Sequence, residues 1–520
     1  MPSLLWPISV IIQMAVVGGI FLTGTGGRME SSQARWFAPL SLIAAIVQIV
    51  PAYPQERWQF AAPAAFEWMT PAMVQTLEQA PQPHVIFSDK LTLETLKSSG
   101  VNSVSGFCIQ GSRVAIASEN VENDVFVPCL SGQYKVDLPS EAARDDDITA
   151  SQVTSTGDIA VAQARPKNDQ DGPKHNLSDL TDISTQANGF FNLPAKRFIG
   201  VDVTLNARPE KNTEPTIIDG GGTAEFVGAT HITIQRPDVT LRGFVFSGDV
   251  TITIAAPRVR ITQSVFNGCG VQGKPKAECI LVMAEDTEID FNHFSESNSV
   301  TVKVRAGTAD AAIQPLRTYI HHNEFFNIER HSGNGQEPIQ VAGPEGGASD
   351  IDLHTRIEHN IFYATNGDVE AVSAKVPGIR IRSNAFFDMD AAPNLRGADA
   401  DEISGNVLVH TRPIRIAGKN HHVTGNIILC PKDNGIALSH GSAGYAVAKD
   451  NSITGNLVIA QKSAISFFTF EPPPIELAQN NTITGNILVT PERYDAVAAV
   501  NFSPNTIKDN LSIHDERKCR

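Results

Sequence analysis

The segments ISGNVLV (403–409), VTGNIIL (423–429), ITGNLVI (453–459) and ITGNILV (483–489) repeat one pattern: an apolar or β-branched stretch, then Asn, then another apolar stretch. Six looser copies, ITQSVFNG, IDFNHF, YIHHNEFF, RIEHNIFY, IRSNAFF and TIKDNLSI, extend it in both directions. The recurring residues are Asn267, Asn292, Asn323, Asn360, Asn384, Asn406, Asn426, Asn456, Asn486 and Asn510, at spacings of 20 to 37 residues. A period of about 20 to 50 residues marks a solenoid, propeller or array. The units are short, β-branched and bounded by Gly or Asn, so each reads as strand-turn-strand. One coil of a parallel β-helix fits. A short amide satisfies backbone groups in a tight turn, tolerates a left-handed backbone and can bond the Asn one coil away. Spacings of about 20 to 25 residues are then bare coils. Longer ones carry inserted loops, which tend to gather on one face, often the binding face.

The expectation is an all-β protein whose residues 195–515 form the β-helix. Strand-sized pieces such as PTIIDGGG, THITIQ, VTLRGFVF and VTITI open it. Residues 60–140 read as a small β-rich appendage, and the polar, acidic stretch 141–192 as a flexible linker. Asp145-Asp146-Asp147 is read there as solvated charge. Residues 1–54 read as an export signal or membrane anchor. The uncharged run 4–23 is long enough to span a bilayer, and the run from Trp36 to Val50 follows Arg28 and Arg35 as a signal peptide would. A secreted, periplasmic or membrane-attached location follows. In such a compartment Cys108–Cys129 and Cys269–Cys279 are expected as local disulfides, the alternative being buried free thiols. The net charge of −15 argues against nucleic acid as a partner.

The candidate chemistry lies between residues 334 and 422. Three pieces carry it: NGQEPIQVAG (334–343), NGDVEAVSAK (366–375) and NLRG (394–397). Asp368 and Glu370 are two apart on an expected strand, so both point to one face. Two carboxylates there repel unless a cation, a base or solvent intervenes, and oxygen ligands of this kind suit Ca²⁺. Lys375 follows, and Arg396 lies 21 residues beyond it, one coil on. The two can therefore stack one rung apart, about 4.8 Å. The stretch 375–419 is net positive inside an acidic chain, so a local basic groove can hold a polyanion whatever the total charge.

This order of motifs resembles polysaccharide lyase family six, the chondroitinase B and alginate lyase group, over roughly residues 215–430. The resemblance implies a right-handed parallel β-helix and a calcium-dependent lyase acting on an acidic, uronate-containing polysaccharide. It implies Asn334, Asp368 and Glu370 as calcium ligands, Lys375 as base and Arg396 as acid. Arg415, in PIRIAGKNHH, matches a substrate-contacting position; Arg412 and His421 are grouped with it as substrate-binding candidates. Three residues depart from the family pattern: Asp368 where Glu is common, Gly397 where His often follows the catalytic Arg, and Pro338 inside the Asn334 motif. Two other classes stay open. One is a glycan-binding or adhesion β-helix without catalysis. The other is a glycoside hydrolase on the same fold, which needs a carboxylate pair that Asp399, Asp401 and Glu402 could supply.

Overall fold

The structure, a computed structural model, describes separate strands between residues 85 and 193. From residue 197 to 514 it describes the chain apart from residues 207–214, 272–277, 309–310, 312, 332–334, 443, 471–475 and 499–503. The N-terminal runs at 4–23 and 36–50, and Asn334, lie outside the described residues.

From residue 189 onward the chain winds as a parallel β-helix. Most coils hold a short strand, an Asn turn, a second short strand, and a third strand in a 12-stranded sheet. The first strands stack in parallel register, Ile403 on Val423, Ile453 and Ile483. The second strands do the same, Leu408 on Ile428, Val458 and Leu488. Within each coil the middle residue of these three-residue strands points inward, as the two-residue period requires. Those inward residues form the core. A column of Phe198, Phe226, Phe246, Phe266, Phe294, Phe325, Phe362 and Phe386 runs through it with centroids 4.6–5.4 Å apart. On the second strands the outward neighbours are apolar too. Val407, Val409, Leu457 and Ile459 are at most 3 % exposed yet stand outside the central core cluster.

The Asn repeat is a hydrogen-bond ladder. From Asn323 to Asn510, each Asn Oδ1 accepts from the backbone N and the Nδ2 of the Asn one coil earlier at 2.9–3.1 Å. The residue before each rung is left-handed, with φ of 59–66° at Gly405, Gly425, Gly455 and Gly485. Asn267 is the exception. It is exposed and pairs with Ser295, and the rung of its coil is Ser264, whose N–H donates to Asn292 Oδ1 at 3.0 Å. The reason is register: the left-handed residue is Gln263, so the rung falls at Ser264, three residues before Asn267.

A second ladder, not anticipated, runs along the turn after the third strand. Asn451 and Asn481 Oδ1 accept from the preceding rung's backbone N at 2.8 and 3.1 Å, and Asn505 continues the series at 2.9 Å. At its N-terminal end it substitutes His421 and then Asp401. The Asp401 N–H donates to His421 Nδ1 at 3.1 Å, and Asp401 Oδ1 accepts from the Ile379 N–H at 2.9 Å.

The chain divides into two compact units, the first ending at Pro166 and the second spanning Lys167–Asp515. Among the described residues, the first contains an antiparallel three-stranded sheet and a five-stranded sheet. Ile148–Val153 and Ile159–Ala164 form an antiparallel pair inside the stretch read as linker. The alternation in ITASQV and IAVAQA is strand-like, and the polar residues flanking it hid the period. Both expected disulfides are present, Cys108–Cys129 and Cys269–Cys279, and Cys430 is also disulfide-bonded.

Candidate active site

The site lies on the outward face of the third sheet. Its strands are β1 (Val300–Arg305), β2 (Ile339–Ala342), β3 (Glu370–Ala374), β4 (Ala392–Asp399), β5 (Ile414–Lys419), β6 (Ile436–Ser442), β7 (Tyr445–Lys449) and β8 (Ile465–Phe468). Inward Ala374 pairs with Leu395, so the next residues, Lys375 and Arg396, project outward on neighbouring coils. The register delivers the one-rung stacking expected from their separation, about 4.8 Å between strands. Asn394 pairs with Arg415 one coil further. Lys303 and Arg305 on β1 extend the same face the other way. A chain that is acidic overall thus carries Lys303, Arg305, Lys375, Arg396 and Arg415 along one sheet.

Beneath these cations lies a floor of buried carboxylates. Glu370 is 2 % exposed, and its Oε1 accepts from Asn394 Nδ2 and the Tyr445 hydroxyl, both at 2.9 Å, and from Arg396 Nη1 at 3.3 Å. Its Oε2 accepts from the Ser373 hydroxyl. Asp368 is buried, its carboxylate accepting from the backbone N–H groups of Gly335 and Glu370 at 3.3 Å. Glu337, not singled out as a ligand from the sequence, is the third. Its Oε1 accepts from Gln340 Nε2 at 2.8 Å, while its buried Oε2 has no partner. Burial, then the Asp368 charge, raises its pKa. A buried carboxylate oxygen without a donor, facing like charge, is an environment that a hard cation would satisfy. Lys375 has its pKa lowered, chiefly by burial, with Arg396 and Lys303 adding to the effect and Glu337 and Glu370 opposing it. Its Nζ donates to the Gly346 carbonyl at 3.3 Å.

Among the described residues, one Asp/Glu/His group brings three ligand atoms within 4.8 Å of one another: Glu288, Asp290 and His321. It belongs to the first-strand sheet, and Arg260 already forms ion pairs with both of its carboxylates. The Glu337, Asp368 and Glu370 set is therefore more open than a closed three-ligand cluster, and Glu370 is turned toward its four donors.

The substrate-binding candidates separate. Arg415 faces the site, its guanidinium 5.5 Å from the Phe470 ring centroid. Arg412 sits in the turn before β5, paired with Asp390 at 2.9 Å. His421 is fully buried in the second ladder and is not a contact available to substrate. It is neutral in this setting: burial lowers its pKa to about 4 and its Nδ1 accepts from a backbone N–H. The hydrolase carboxylates do not form a flanking pair. Asp401 is buried in that same ladder, Asp399 pairs with Lys419 at 3.2 Å, and Glu402 lies on the first-strand sheet bonded to Ser404.

Tyr445 was not legible from the sequence. It is carried by the hairpin of β6 and β7, which folds back across β4. Gly397 lies beside that hairpin. Its φ of 102° is disfavoured for any side chain, and a Cβ there would meet the Ala446 Cβ at 3.5 Å. A His at this position would be strained by the backbone conformation, while the contact with Ala446 is an ordinary one.

The sequence profile of the family described as Chondroitinase B matches residues 235–469, so the resemblance read from the motifs is borne out independently. No curated protein matches the chain. Among solved structures, the chain is similar to the PL6 family polysaccharide lyase Pedsa3628 from Pseudopedobacter saltans, at 17 % identity and TM-score 0.53, over 66 % of this chain and 93 % of that one. It is similar to a mannuronic acid specific polysaccharide family 6 lyase from human gut microbiota, at 17 % identity and TM-score 0.52, over 64 % and 83 %. A mutant of the PL6 family alginate lyase AlyGC gives 19 % identity and TM-score 0.55, over 65 % of this chain and 51 % of that one. These likenesses establish the parallel β-helix fold.

Proposed function

We propose that this chain is a polysaccharide lyase that cleaves a uronate-containing polyanion, of the alginate or dermatan sulfate type, by β-elimination. The observation that carries the reading is the stacking of Lys375 and Arg396 on neighbouring coils above three buried carboxylates, one with an orphaned oxygen. The family profile covers all of these residues.

Glu337, Asp368 and Glu370 would hold a divalent cation, and their all-oxygen chemistry suits Ca²⁺; the resemblance adds Asn334. Bound there, such a cation would neutralise the substrate carboxylate and stabilise the enolate-like charge that forms beside it. The chain's own residues do the rest. Lys375, whose ammonium form is disfavoured by burial and by the neighbouring cations, takes the C5 proton. The C5–H electrons form the C4=C5 double bond, the C4–O bond breaks, and the departing oxygen is protonated from solvent. Arg396 stabilises the developing negative charge with its planar guanidinium fork. The cations from Lys303 to Arg415 align the polymer along the sheet.

We also infer an oxidising compartment outside the cytoplasm, supported by the disulfides and the apolar N-terminal runs. The test is a panel of uronate polymers assayed for near-ultraviolet absorbance and reducing ends, with and without chelator. Unsaturated ends that vanish in Lys375→Ala support the reading. Reducing ends without that absorbance replace it with a hydrolase, and binding without cleavage with a carbohydrate-binding β-helix.

A further inference from the structure

Beyond Arg396 the same face ends in aromatic side chains that catalysis as described does not use. Tyr445 from β7, Phe468 from β8 and Phe470 just after it form one cluster. Ring centroids are 5.0 Å apart for Tyr445–Phe470, 5.3 Å for Phe468–Phe470 and 5.8 Å for Tyr445–Phe468. Phe470 is 51 % exposed, and none of the three belongs to the central core. Two guanidinium groups border the cluster. Arg396 lies 4.7 Å from the Tyr445 centroid, and Arg415 lies 5.5 and 6.0 Å from those of Phe470 and Phe468.

Continuity with the site follows from the register. Phe468 pairs with Ser439, and its column leads back through Ala417 to Arg396 and Lys375. Four coil steps separate the strands of Lys375 and Phe468, about 19 Å. Tyr445 closes part of that distance, because its hydroxyl already reaches Glu370. An exposed aromatic surface costs free energy in water unless something covers it. What could cover this one is constrained by its border. A partner must offer an apolar face to the rings and an anion at the edge to the two guanidinium groups. A uronate pyranose does both, with C–H groups on its face and a carboxylate in the ring plane.

We propose that Phe468, Phe470 and Tyr445, with Arg415, form a binding subsite for a uronate residue on the C-terminal side of the Lys375–Arg396 pair. It sets how tightly longer chains bind. This rests on the lyase reading for its substrate class, and its test separates the two. Phe470 is exposed and Phe468 half-buried, so Phe470→Ala and Phe468→Ala leave folding intact, and Phe470→Trp restores an aromatic surface.

The experiment titrates the Lys375→Ala protein, with and without each substitution, against alginate and dermatan sulfate hexasaccharides, with cellohexaose as the neutral control. In parallel, the turnover of otherwise wild-type protein is measured on oligosaccharides of increasing length. The expected result is a Kd raised about three- to tenfold by Phe470→Ala, the range of one lost ring contact. Phe470→Trp restores it, cellohexaose binds poorly, and KM rises for long but not for the shortest cleaved chains. Turnover with Kd and KM unchanged in Phe470→Ala and Phe468→Ala overturns the subsite and leaves the lyase reading standing. Hexasaccharide binding that depends on Phe470 in a protein that cleaves none of these polymers supports the subsite and overturns the lyase. Absence of binding to every uronate hexasaccharide overturns both.

Discussion

Replacing Glu337 by Gln should change stability in opposite directions depending on metal. Glu337 is 2 % exposed, one of its oxygens has no donor, and Asp368 and Glu370 face it with like charge. A buried polar group left without a partner costs about 1–3 kcal/mol. The Gln340 amide that donates to Oε1 can still donate to the amide oxygen of a glutamine. In chelator, Glu337→Gln should therefore be the more stable protein by about 1–3 kcal/mol at pH 7.5, or roughly 1–3 °C in Tm for a chain of this size. The pH dependence has a defined sign. The folded pKa of Glu337 is raised, so its favourable contribution is present below the unfolded value of about 4.3 and is lost as pH rises through the folded value. The advantage of Glu337→Gln should thus be larger at pH 7.5 than at pH 4.5. With Ca²⁺ the order should reverse. Ligand at 100 times Kd stabilises the wild type by about 2.7 kcal/mol, whereas Glu337→Gln has lost a charged ligand and gains less. Thermal unfolding at the two pH values, with chelator and across a calcium titration, reads all of this without any turnover. Equal calcium shifts in both proteins, or a less stable Glu337→Gln in chelator, would refute the reasoning.

Lys375→Ala should lower turnover about a hundred- to ten-thousandfold, the usual worth of a general base. The wild-type rate should rise with pH as the burial-lowered ammonium of Lys375 deprotonates, and a flat pH–rate profile would argue against this base. Arg396→Lys should recover only part of the loss seen in Arg396→Ala, because a point charge cannot replace a planar fork that also stacks on Tyr445; kcat on a cleaved polymer decides. Asn426→Ala removes donors to Ile403 O and to Asn456 Oδ1 and should cost about 2–4 kcal/mol in chemical denaturation. Asn267→Ala, outside the ladder, should stay within about 0.5 kcal/mol. Asp401→Asn should stabilise the protein, since burial raises the Asp401 pKa and its Oδ2 has no hydrogen-bond partner. By the sign worked out for Glu337, that gain should grow from pH 4.5 to pH 7.5 in thermal unfolding.

The sequence by itself determined the coil. Its β-branched runs, its left-handed turn positions and its recurring Asn residues are local features, and each acts within a few residues of itself. The parallel β-helix was legible from them, as was the stacking of Lys375 on Arg396, because a separation of one coil becomes one rung in any such helix. Local pattern could mislead by a turn, as Asn267 shows: its segment looks like the others, but the left-handed residue at Gln263 makes Ser264 the rung. It also hid the second ladder, whose Asn451 and Asn481 sit among polar neighbours that mask any period. Burial was not legible at all. His421 and Asp401 resemble surface residues in the sequence, yet both are enclosed because the coil after them closes over the turn. The tertiary structure alone decided how the site is completed. Tyr445 reaches Glu370 across 75 residues of sequence because a hairpin inserted on a later coil folds back over β4. The orphaned oxygen of Glu337 depends on burial and on the Asp368 and Glu370 carboxylates that the next coil brings against it. Charge, burial and donor supply depend on what neighbouring coils bring into contact, and no residue's own segment carries that information.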